Sequence, residues 1–215
     1  MSEPLVVNEL FRSIQGESTF AGRICSFVRL AGCNLDCSWC DTSYAARPEG
    51  TLMSIEAIVA AVKEFAAPVV EITGGEPLLQ PGTAPLARAL GTCFKTVLVQ
   101  TNGSRDVGVL PSECIRIVDV KCPSSGMEHS FLESNLALLT PLDEVKFVIG
   151  SRGDFDFAVA FIERHALQDR VLPLFSPVAG TVPPADLAQW ILDSNAPVRL
   201  QVQLHKILWG DRRGV

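Results

Sequence analysis

The sequence predicts an α/β fold in which strands and helices alternate around a parallel sheet. Three observations lead to this prediction. Short runs of β-branched and apolar residues alternate with longer segments of helical apolar spacing, and unusual polar or glycine-rich motifs directly follow most of the runs. Because no linker, low-complexity run or change of composition divides the 215 residues, we expect one domain spanning residues 1–215.

The first half of the chain alternates short apolar runs with amphipathic segments. Strands are predicted at 24–30, 69–72 and 96–99. Helices are predicted at 54–65 and 84–90. Ser54 suits the N-cap of the first helix, and Glu56 suits its first turn.

The second half continues the same alternation. Strands are predicted at 115–120, 144–149, 171–174 and 198–203. Helices are predicted at 131–139, 155–165 and 184–193. Pro184 suits the first turn of the last helix, and Asn195 with Pro197 predicts its end.

The unusual residues stand where the predicted strands end. A cysteine cluster follows the first strand, Gly74-Gly75-Glu76-Pro77 the second and Thr101-Asn102-Gly103 the third. Residues 121–126 follow the fourth strand, residues 176–178 the sixth and residues 205–206 the seventh. Parallel α/β sheets and barrels bind ligands at the carboxyl ends of their strands. We therefore expect these motifs to meet at one rim.

Composition favours a small-molecule substrate over nucleic acid. The formal net charge is −6, and no block of Lys or Arg forms the basic stripe of a nucleic-acid binder. The first four residues carry an acid where a signal peptide is basic, and no apolar run reaches the roughly 18 residues of a membrane span. We expect a cytoplasmic protein without a membrane partner.

Seven cysteines need an explanation in a reducing compartment. Their odd number cannot pair completely within the chain, so a disulfide framework is disfavoured. We assign four of them to packing, because free cysteine commonly behaves as a small buried hydrophobe. These are Cys25, Cys93, Cys114 and Cys122.

The other three, Cys33, Cys37 and Cys40, have the spacing C-x3-C-x2-C. Three thiolates can hold three irons of a cubane and leave the fourth open, whereas structural zinc sites and ordinary ferredoxin clusters take four ligands. A zinc site that borrows Asp41, His129 or a distant cysteine is the alternative. The spacing resembles that of the radical S-adenosylmethionine (SAM) superfamily, in which the open iron binds SAM.

The motif Thr73-Gly74-Gly75-Glu76-Pro77 strengthens this resemblance, since the superfamily has a GGEP motif after the second strand. Two glycines let backbone approach a ligand closely, and backbone carbonyls with the Glu76 carboxylate could receive the ammonium of SAM. The fold that the resemblance implies is a reduced (β/α) barrel, open on one side.

Further motifs resemble one family within that superfamily, 7-carboxy-7-deazaguanine synthase, nearly from end to end. They are Gln15-Gly16-Glu17, the run from Arg29 to Asn34, Cys40-Asp41-Thr42, residues 100–103 and residues 203–206. The resemblance implies a lyase of 7-deazapurine (queuosine) biosynthesis that converts 6-carboxy-5,6,7,8-tetrahydropterin to 7-carboxy-7-deazaguanine with loss of ammonia. It also implies a homodimer, with flavodoxin or ferredoxin as the electron donor.

The resemblance further implies roles for individual residues. The cluster ligands are Cys33, Cys37 and Cys40, and Thr42 coordinates Mg²⁺. The SAM-binding residues are Trp39, Asp41, Gly75, Glu76, Asp119, Val120, Lys121, Ser176, Pro177, Val178 and Ala179. The substrate-binding residues are Ile14, Gln15, Gly16, Glu17, Arg29, Thr73, Asn102, His205 and Val215.

Two other functions remain open at this point. A glycyl-radical activating enzyme shares the cysteine spacing and a GGEP-like turn, but its substrate is a protein loop. A non-catalytic iron–sulfur or zinc module explains the three cysteines, but it leaves the glycine motif and the polar residues at the strand ends without a role.

Overall fold

One nine-stranded sheet organises the chain. The computed structural model describes residues 3–215. Its strands are β1 (Leu5–Ile14), β2 (Ile24–Leu30), β3 (Thr51–Met53), β4 (Val69–Gly74), β5 (Thr96–Thr101), β6 (Ile115–Asp119), β7 (Glu144–Ile149), β8 (Leu172–Pro177) and β9 (Arg199–Leu200). Their order in the sheet is β3-β1-β2-β4-β5-β6-β7-β8-β9.

The sheet is parallel except at one edge. Strand β1 pairs antiparallel with both β2 and β3, whereas each pair from β2 through β9 is parallel. Strands β3 and β9 are the two edges, so the sheet does not close on itself. The predicted open, reduced (β/α) barrel is confirmed.

Of the helices in residues 3–215, four pack on the outer face of the sheet, and a short fifth helix lies at the carboxyl rim. They are α1 (Ile55–Glu64), α2 (Thr83–Gly91), α3 (Arg152–His165), α4 (Pro184–Ser194) and α5 (Leu204–Trp209). Ser54 caps α1 as predicted, since its hydroxyl accepts a hydrogen bond from the Ala57 amide at 3.2 Å. Asn195 ends α4 in the left-handed conformation, at φ 52°. Within residues 3–215, no helix is both long enough and apolar enough to cross a membrane.

Two predicted elements are wrong or shortened. The helix predicted at 131–139 is a 3₁₀ segment at Glu133–Leu138. There the buried Asn135 amide donates to the carbonyls of Gly103 and Arg105 and accepts from the amide of Val107, which ties the segment to the loop after β5. The strand predicted at 198–203 is reduced to β9, and the chain then turns into α5.

The inner face of the barrel changes from apolar to polar along the strands. Its lower layer is a buried cluster of Cys25, Phe27, Val69, Leu98 and Ile117. Beyond this layer the inward positions carry polar or charged side chains, which line a cavity at the carboxyl ends: Arg29, Glu71, Thr73, Gln100, Asp119 and Lys146. The apolar layer closes one end of the barrel, so ligands can enter only from the carboxyl rim.

Candidate active site

A cavity of about 690 Å³ lies at the carboxyl rim of the parallel strands. It brings together most of the residues that the sequence identified, although they are spread from Ile14 to Val215. The predicted residues that line it are Ile14, Gln15, Gly16, Glu17, Arg29, Cys33, Cys37, Trp39, Cys40, Asp41, Thr42, Thr73, Gly75, Asn102, Asp119, Lys121, Val178, Ala179, His205 and Val215. Glu76, Val120, Ser176 and Pro177 are not among its lining residues.

The cysteine loop enters the cavity directly after β2. Its start is fixed by main-chain hydrogen bonds, since the amides of Gly32 and Cys33 donate to the carbonyls of Ala45 and Ala46 at 2.8 and 2.9 Å. Cys33, Cys37 and Cys40 are free thiols that all line the cavity. Burial raises the pKa of Cys37 and of Cys40, and the nearby Lys121 ammonium partly opposes this rise.

The donor set fits an iron–sulfur cube better than a single ion. Within residues 3–215, no three His, Cys, Asp or Glu side chains are gathered tightly enough for one metal ion. Corner ligands of a cube stand farther apart than ligands of one ion, so three separate thiols on one loop suit a cluster with one open iron. His129 lies on an exposed turn and is 95% exposed, so it does not complete a zinc site.

The glycine motif holds the cysteine loop against the sheet. A methyl group on Gly75 would lie 2.4 Å from the carbonyl oxygen of Gly32 and 2.8 Å from the β-carbon of Cys33. Gly74 has φ 151°, and a methyl group there would meet the carbonyl of Leu30 at 2.2 Å. Only glycine permits this approach at both positions.

Glu76 was expected to bind SAM, but its carboxylate is directed into the protein. It is fully buried and accepts hydrogen bonds from the amides of Leu78 and Asn102 and from the hydroxyl of Thr101. All three donors belong to the protein, so the carboxylate fastens the GGEP loop to the end of β5.

The other three residues outside the cavity lining also belong to the protein interior. Val120 lies in the apolar core. Among residues 3–215, the buried hydroxyl of Ser176 has no hydrogen-bond partner, and Pro177 ends β8. Two neighbours in the following turn, Val178 and Ala179, do reach the cavity.

Lys146 forms ion pairs with two acidic residues of the cavity. Its ammonium lies 2.6 Å from Oε2 of Glu17 and 3.2 Å from Oδ1 of Asp119. Asp119 also pairs with Lys121 at 2.7 Å. Burial would raise the pKa of Glu17, but the Lys146 charge and hydrogen bonds from Lys146 and Gln203 outweigh it, so the pKa is lowered. Glu17 is therefore an ionised acceptor at neutral pH.

A glutamine couples Glu17 to the end of the cysteine loop. Gln203 donates to Oε1 of Glu17 at 2.8 Å and to Oδ2 of Asp41 at 3.0 Å. The hydroxyl of Thr42 donates to the other oxygen of Asp41 at 2.8 Å. Burial opposes ionisation of Asp41, but the Thr42 hydrogen bond and the Lys146 charge lower its pKa. Two ionised carboxylates thus flank this side of the cavity.

His205 packs against the substrate loop predicted around Gly16. A methyl group on Gly16 would lie 2.1 Å from Nδ1 of His205, so the imidazole occupies the space beside this glycine. Burial lowers the pKa of His205, which keeps the ring neutral at pH 7. A neutral imidazole offers one donor and one acceptor.

Arg29 also lines the cavity, where an acid and two aromatic rings surround its guanidinium. Its Nε donates to Oε1 of Glu9 at 2.7 Å, and the Tyr44 hydroxyl donates to the same oxygen at 2.9 Å. The guanidinium also lies over the Phe11 ring, 5.5 Å from its centroid. The C-terminal tail covers this region, with Arg213 lying 3.8 Å from the centroid of Tyr44.

Among the residues predicted to bind SAM, Trp39 is held above Lys121. The lysine ammonium lies 5.6 Å from the ring centroid, and the indole N–H donates to the Ser124 hydroxyl at 3.2 Å. Asn102 donates to Asn34 at 3.2 Å, which joins the loop after β5 to the cysteine loop. The cavity wall therefore presents an aromatic face, a cation and amides.

Sequence reasoning assigned no ligand role to several polar lining residues that make hydrogen bonds in the cavity. They are Glu71, Gln100, Lys146 and Gln203. A usable signal existed for two of them, because Glu71 and Lys146 are charged residues at inward positions of otherwise apolar strands. Gln100 and Gln203 stand in two of the motifs that resemble the family, but neither was given a role of its own.

Comparison with known proteins identifies the family. The profile of the radical SAM superfamily matches residues 28–165. The 7-carboxy-7-deazaguanine synthase of Chlorobaculum tepidum is 47% identical over 99% of this chain and 98% of its own length. The enzyme of the same name from Koribacter versatilis is 44% identical over 94% of this chain and 96% of its own length.

A solved structure shares the fold. The crystal structure of QueE from Escherichia coli superposes with a TM-score of 0.73 over 94% of this chain and 95% of that chain, at 24% identity. Membership in the radical SAM superfamily implies a 4Fe–4S cluster, SAM, a reductant and, here, a small-molecule substrate. The chain belongs to the 7-carboxy-7-deazaguanine synthase family of radical SAM enzymes.

Proposed function

We propose that this protein converts 6-carboxy-5,6,7,8-tetrahydropterin to 7-carboxy-7-deazaguanine with loss of ammonia. One observation carries the proposal: an ionised carboxylate and an arginine share a single cavity with the three thiols of the cysteine loop. Glu17 and Arg29 both line that cavity, and neither is needed to hold a cluster. A polar substrate with a carboxylate and a guanidine-like ring edge requires this pair of charges.

Cys33, Cys37 and Cys40 would hold the 4Fe–4S cluster, with the fourth iron open to SAM. When bound, the cluster and SAM supply a carbon radical that removes hydrogen from C6 of the substrate. The SAM-binding residues are Trp39, Asp41, Gly75, Asp119, Lys121, Val178 and Ala179, all of which line the cavity. The indole of Trp39 offers a face for stacking, and backbone at Gly75 allows close approach.

The protein side chains fix the substrate at both ends. Glu17 accepts hydrogen bonds from the amino and ring N–H groups, and Lys146 keeps it ionised. Arg29 meets the substrate carboxylate, the two aromatic rings beside it fixing the plane of the guanidinium. The remaining contacts come from Ile14, Gln15, Gly16, Thr73, Asn102, His205 and Val215. Fixed charges in one cavity orient the reacting carbon.

A magnesium ion would bind at Thr42. The hydroxyl of Thr42 and the neighbouring Asp41 carboxylate are hard oxygen donors at the cavity wall. Mg²⁺ prefers such oxygens and usually keeps several waters, so a site with few protein ligands suits it. Bound there, the ion would neutralise negative charge on the substrate carboxylate while ammonia leaves.

The partners are a flavodoxin or ferredoxin as electron donor and a second copy of the chain, in the cytoplasm where such donors act. Apolar side chains stand exposed on the edge strand β9 and on helices α4 and α5, namely Leu200, Leu192, Ile207 and Leu208. An open edge with exposed apolar neighbours is a common pairing surface. Ile207→Glu with Leu208→Glu should sediment as a monomer if this surface joins two copies.

Turnover of the pterin by substrate-site variants tests the function. Cluster-loaded wild type, Glu17→Gln and Arg29→Ala would be compared anaerobically with SAM and dithionite. Both variants should retain the cluster and uncoupled SAM cleavage but lose pterin turnover by roughly 30-fold or more, because a buried charge-assisted contact is removed. Exposed Arg12→Ala and Glu64→Gln are the matched controls. Wild-type KM and kcat in both site variants would contradict the substrate assignment and leave the glycyl-radical alternative open.

A further inference from the structure

Glu71 is a buried carboxyl group next to the apolar layer that closes the barrel. It lies on β4, in register with Phe27 of β2 and Leu98 of β5. Those two neighbours belong to the apolar layer that closes the barrel, and Glu71 lines the cavity directly above it. The residue is only 2% exposed. A buried acid on an apolar floor is costly, so its presence indicates a use in the site.

Within residues 3–215, one side chain donates to Glu71, and no cation pairs with it. The Gln15 amide donates to its Oε2, while no hydrogen bond involves its Oε1. Lys146 pairs with Glu17 and Asp119, and Arg29 pairs with Glu9, so both nearby cations already have partners.

The charged and titratable groups that face Glu71 come from three elements. They are Glu17 in the loop after β1, Cys25 and Arg29 on β2, and Lys146 on β7, whereas its β5 neighbour Leu98 carries no charge. Burial and the Glu17 charge raise the pKa of Glu71 to about 8, against the weaker opposing effect of Lys146 and Arg29. The group is therefore a neutral carboxylic acid at pH 7.

We propose that Glu71 contacts the substrate ring and donates a hydrogen bond to it, while Glu17 accepts hydrogen bonds from the same ring. This assignment rests on the proposed function. Gln15 holds one oxygen of Glu71, which leaves the other oxygen and the acid proton for a ligand. Two carboxyl groups of opposite hydrogen-bonding character then share one cavity.

The chemistry of the substrate class matches this arrangement. The pyrimidine edge of a pterin presents amino and N–H donors beside a carbonyl and a ring nitrogen that accept hydrogen bonds. An ionised carboxylate satisfies only donors, and a neutral acid can satisfy an acceptor. Glu71 would thus discriminate against ring systems that carry a donor where the pterin carries an acceptor.

Two substitutions and a pH series test the proposal in the cluster-loaded enzyme. Glu71→Gln retains a neutral donor of similar size, and its KM for 6-carboxytetrahydropterin at pH 7 should stay within about threefold of wild type. Glu71→Leu fills the space without a donor, and its KM should rise roughly 10- to 100-fold, because a buried ligand acceptor loses its hydrogen bond. The wild-type KM should rise above about pH 8, where Glu71 ionises, whereas that of Glu71→Gln should not.

A stability control separates binding from folding. Asp143 is another buried carboxylate, paired with Arg116 at 3.3 Å and outside the cavity lining. Asp143→Asn should lower the thermal stability but leave the KM unchanged. Uncoupled SAM cleavage should be normal in all three variants, because SAM does not require Glu71.

The outcomes are distinct. If wild type does not turn over the pterin, the proposed function and the Glu71 assignment both fall. If wild type does and Glu71→Leu has an unchanged KM, only the Glu71 assignment falls. A rise in the KM of both Glu71→Gln and Glu71→Leu, with pH profiles parallel to that of wild type, would also overturn the assignment. A neutral hydrogen-bond donor would then not be what the substrate requires.

Discussion

Replacing Lys146 by Met should expose the energetic role of the acid–lysine network. The ammonium lies 2.6 Å from Glu17 and 3.2 Å from Asp119, and its side chain is 4% exposed. Asp119 keeps a second cation, because Lys121 lies 2.7 Å away. Glu17 loses its only pairing cation among the described residues. Leaving one partner of a buried pair uncompensated costs about 3–5 kcal/mol of unfolding free energy.

The loss of unfolding free energy in Lys146→Met should depend on pH, and the environment of Glu17 determines the direction. In wild type the pKa of Glu17 lies below its ordinary value of 4.5, so its contribution to stability is present above that value and disappears as the pH falls through the lowered pKa. Without Lys146, burial dominates and the pKa rises above 4.5. The variant should therefore lose stability as the pH rises past this value, and the gap to wild type should widen from about pH 5 to about pH 7.

Urea denaturation, monitored by circular dichroism under anaerobic conditions, measures the difference in unfolding free energy between wild type and Lys146→Met. Cluster-free proteins are used so that loss of metal does not complicate the transition. Adding Glu17→Gln to Lys146→Met should recover part of the loss, since the uncompensated charge is gone. Arg152→Gln is the control: its partner Asp156 lies at 2.9 Å, but the two side chains are 55% and 60% exposed, so the change should stay within about 1 kcal/mol. A pH-independent gap below about 1 kcal/mol for Lys146→Met would refute the reasoning.

Three further predictions concern the cluster loop and the metal. Gly75→Ala should lower the iron content after reconstitution, because its methyl group would meet the Gly32 carbonyl at 2.4 Å. The control Gly91→Ala has open space around the new methyl group and should stabilise α2 by up to about 1 kcal/mol. Cys37→Ala should abolish SAM cleavage while Cys93→Ala retains it, as measured by formation of 5′-deoxyadenosine; full cleavage by the first variant would contradict the cluster assignment. Thr42→Ala should shift the Mg²⁺ titration of product formation to higher concentration at unchanged iron content, and an unmoved curve would show that the ion binds elsewhere.

The fold was largely predictable because most of its strands are buried on both faces. Their apolar runs stand out in the sequence, as in β4 and β7. Strand β1 was missed because it is only partly buried and because its register shifts between Val7 and Glu9, which interrupts the alternation of apolar and polar residues. Helix α5 was missed because its six residues are too few for a helical period to show, and no side chain caps its start.

The site was predictable where its chemistry is encoded locally. The three cysteines and the two glycines stand in short motifs, so their spacing alone indicated a ligand loop and a close backbone approach. The Lys146–Glu17 pair joins residues 129 positions apart, and no local pattern encodes such a contact. The buried contacts of Glu76 were not predictable for the same reason, because its partners Thr101 and Asn102 come from the end of the next strand.

Product analysis of the cluster-loaded wild-type enzyme tests the central claim most directly. The protein would be incubated anaerobically with 6-carboxytetrahydropterin, SAM, Mg²⁺ and a reductant, and the products would be identified by mass spectrometry and an ammonia assay. The account predicts that 7-carboxy-7-deazaguanine and ammonia form in equal amounts as the pterin disappears. Cleavage of SAM with the pterin left intact would contradict it.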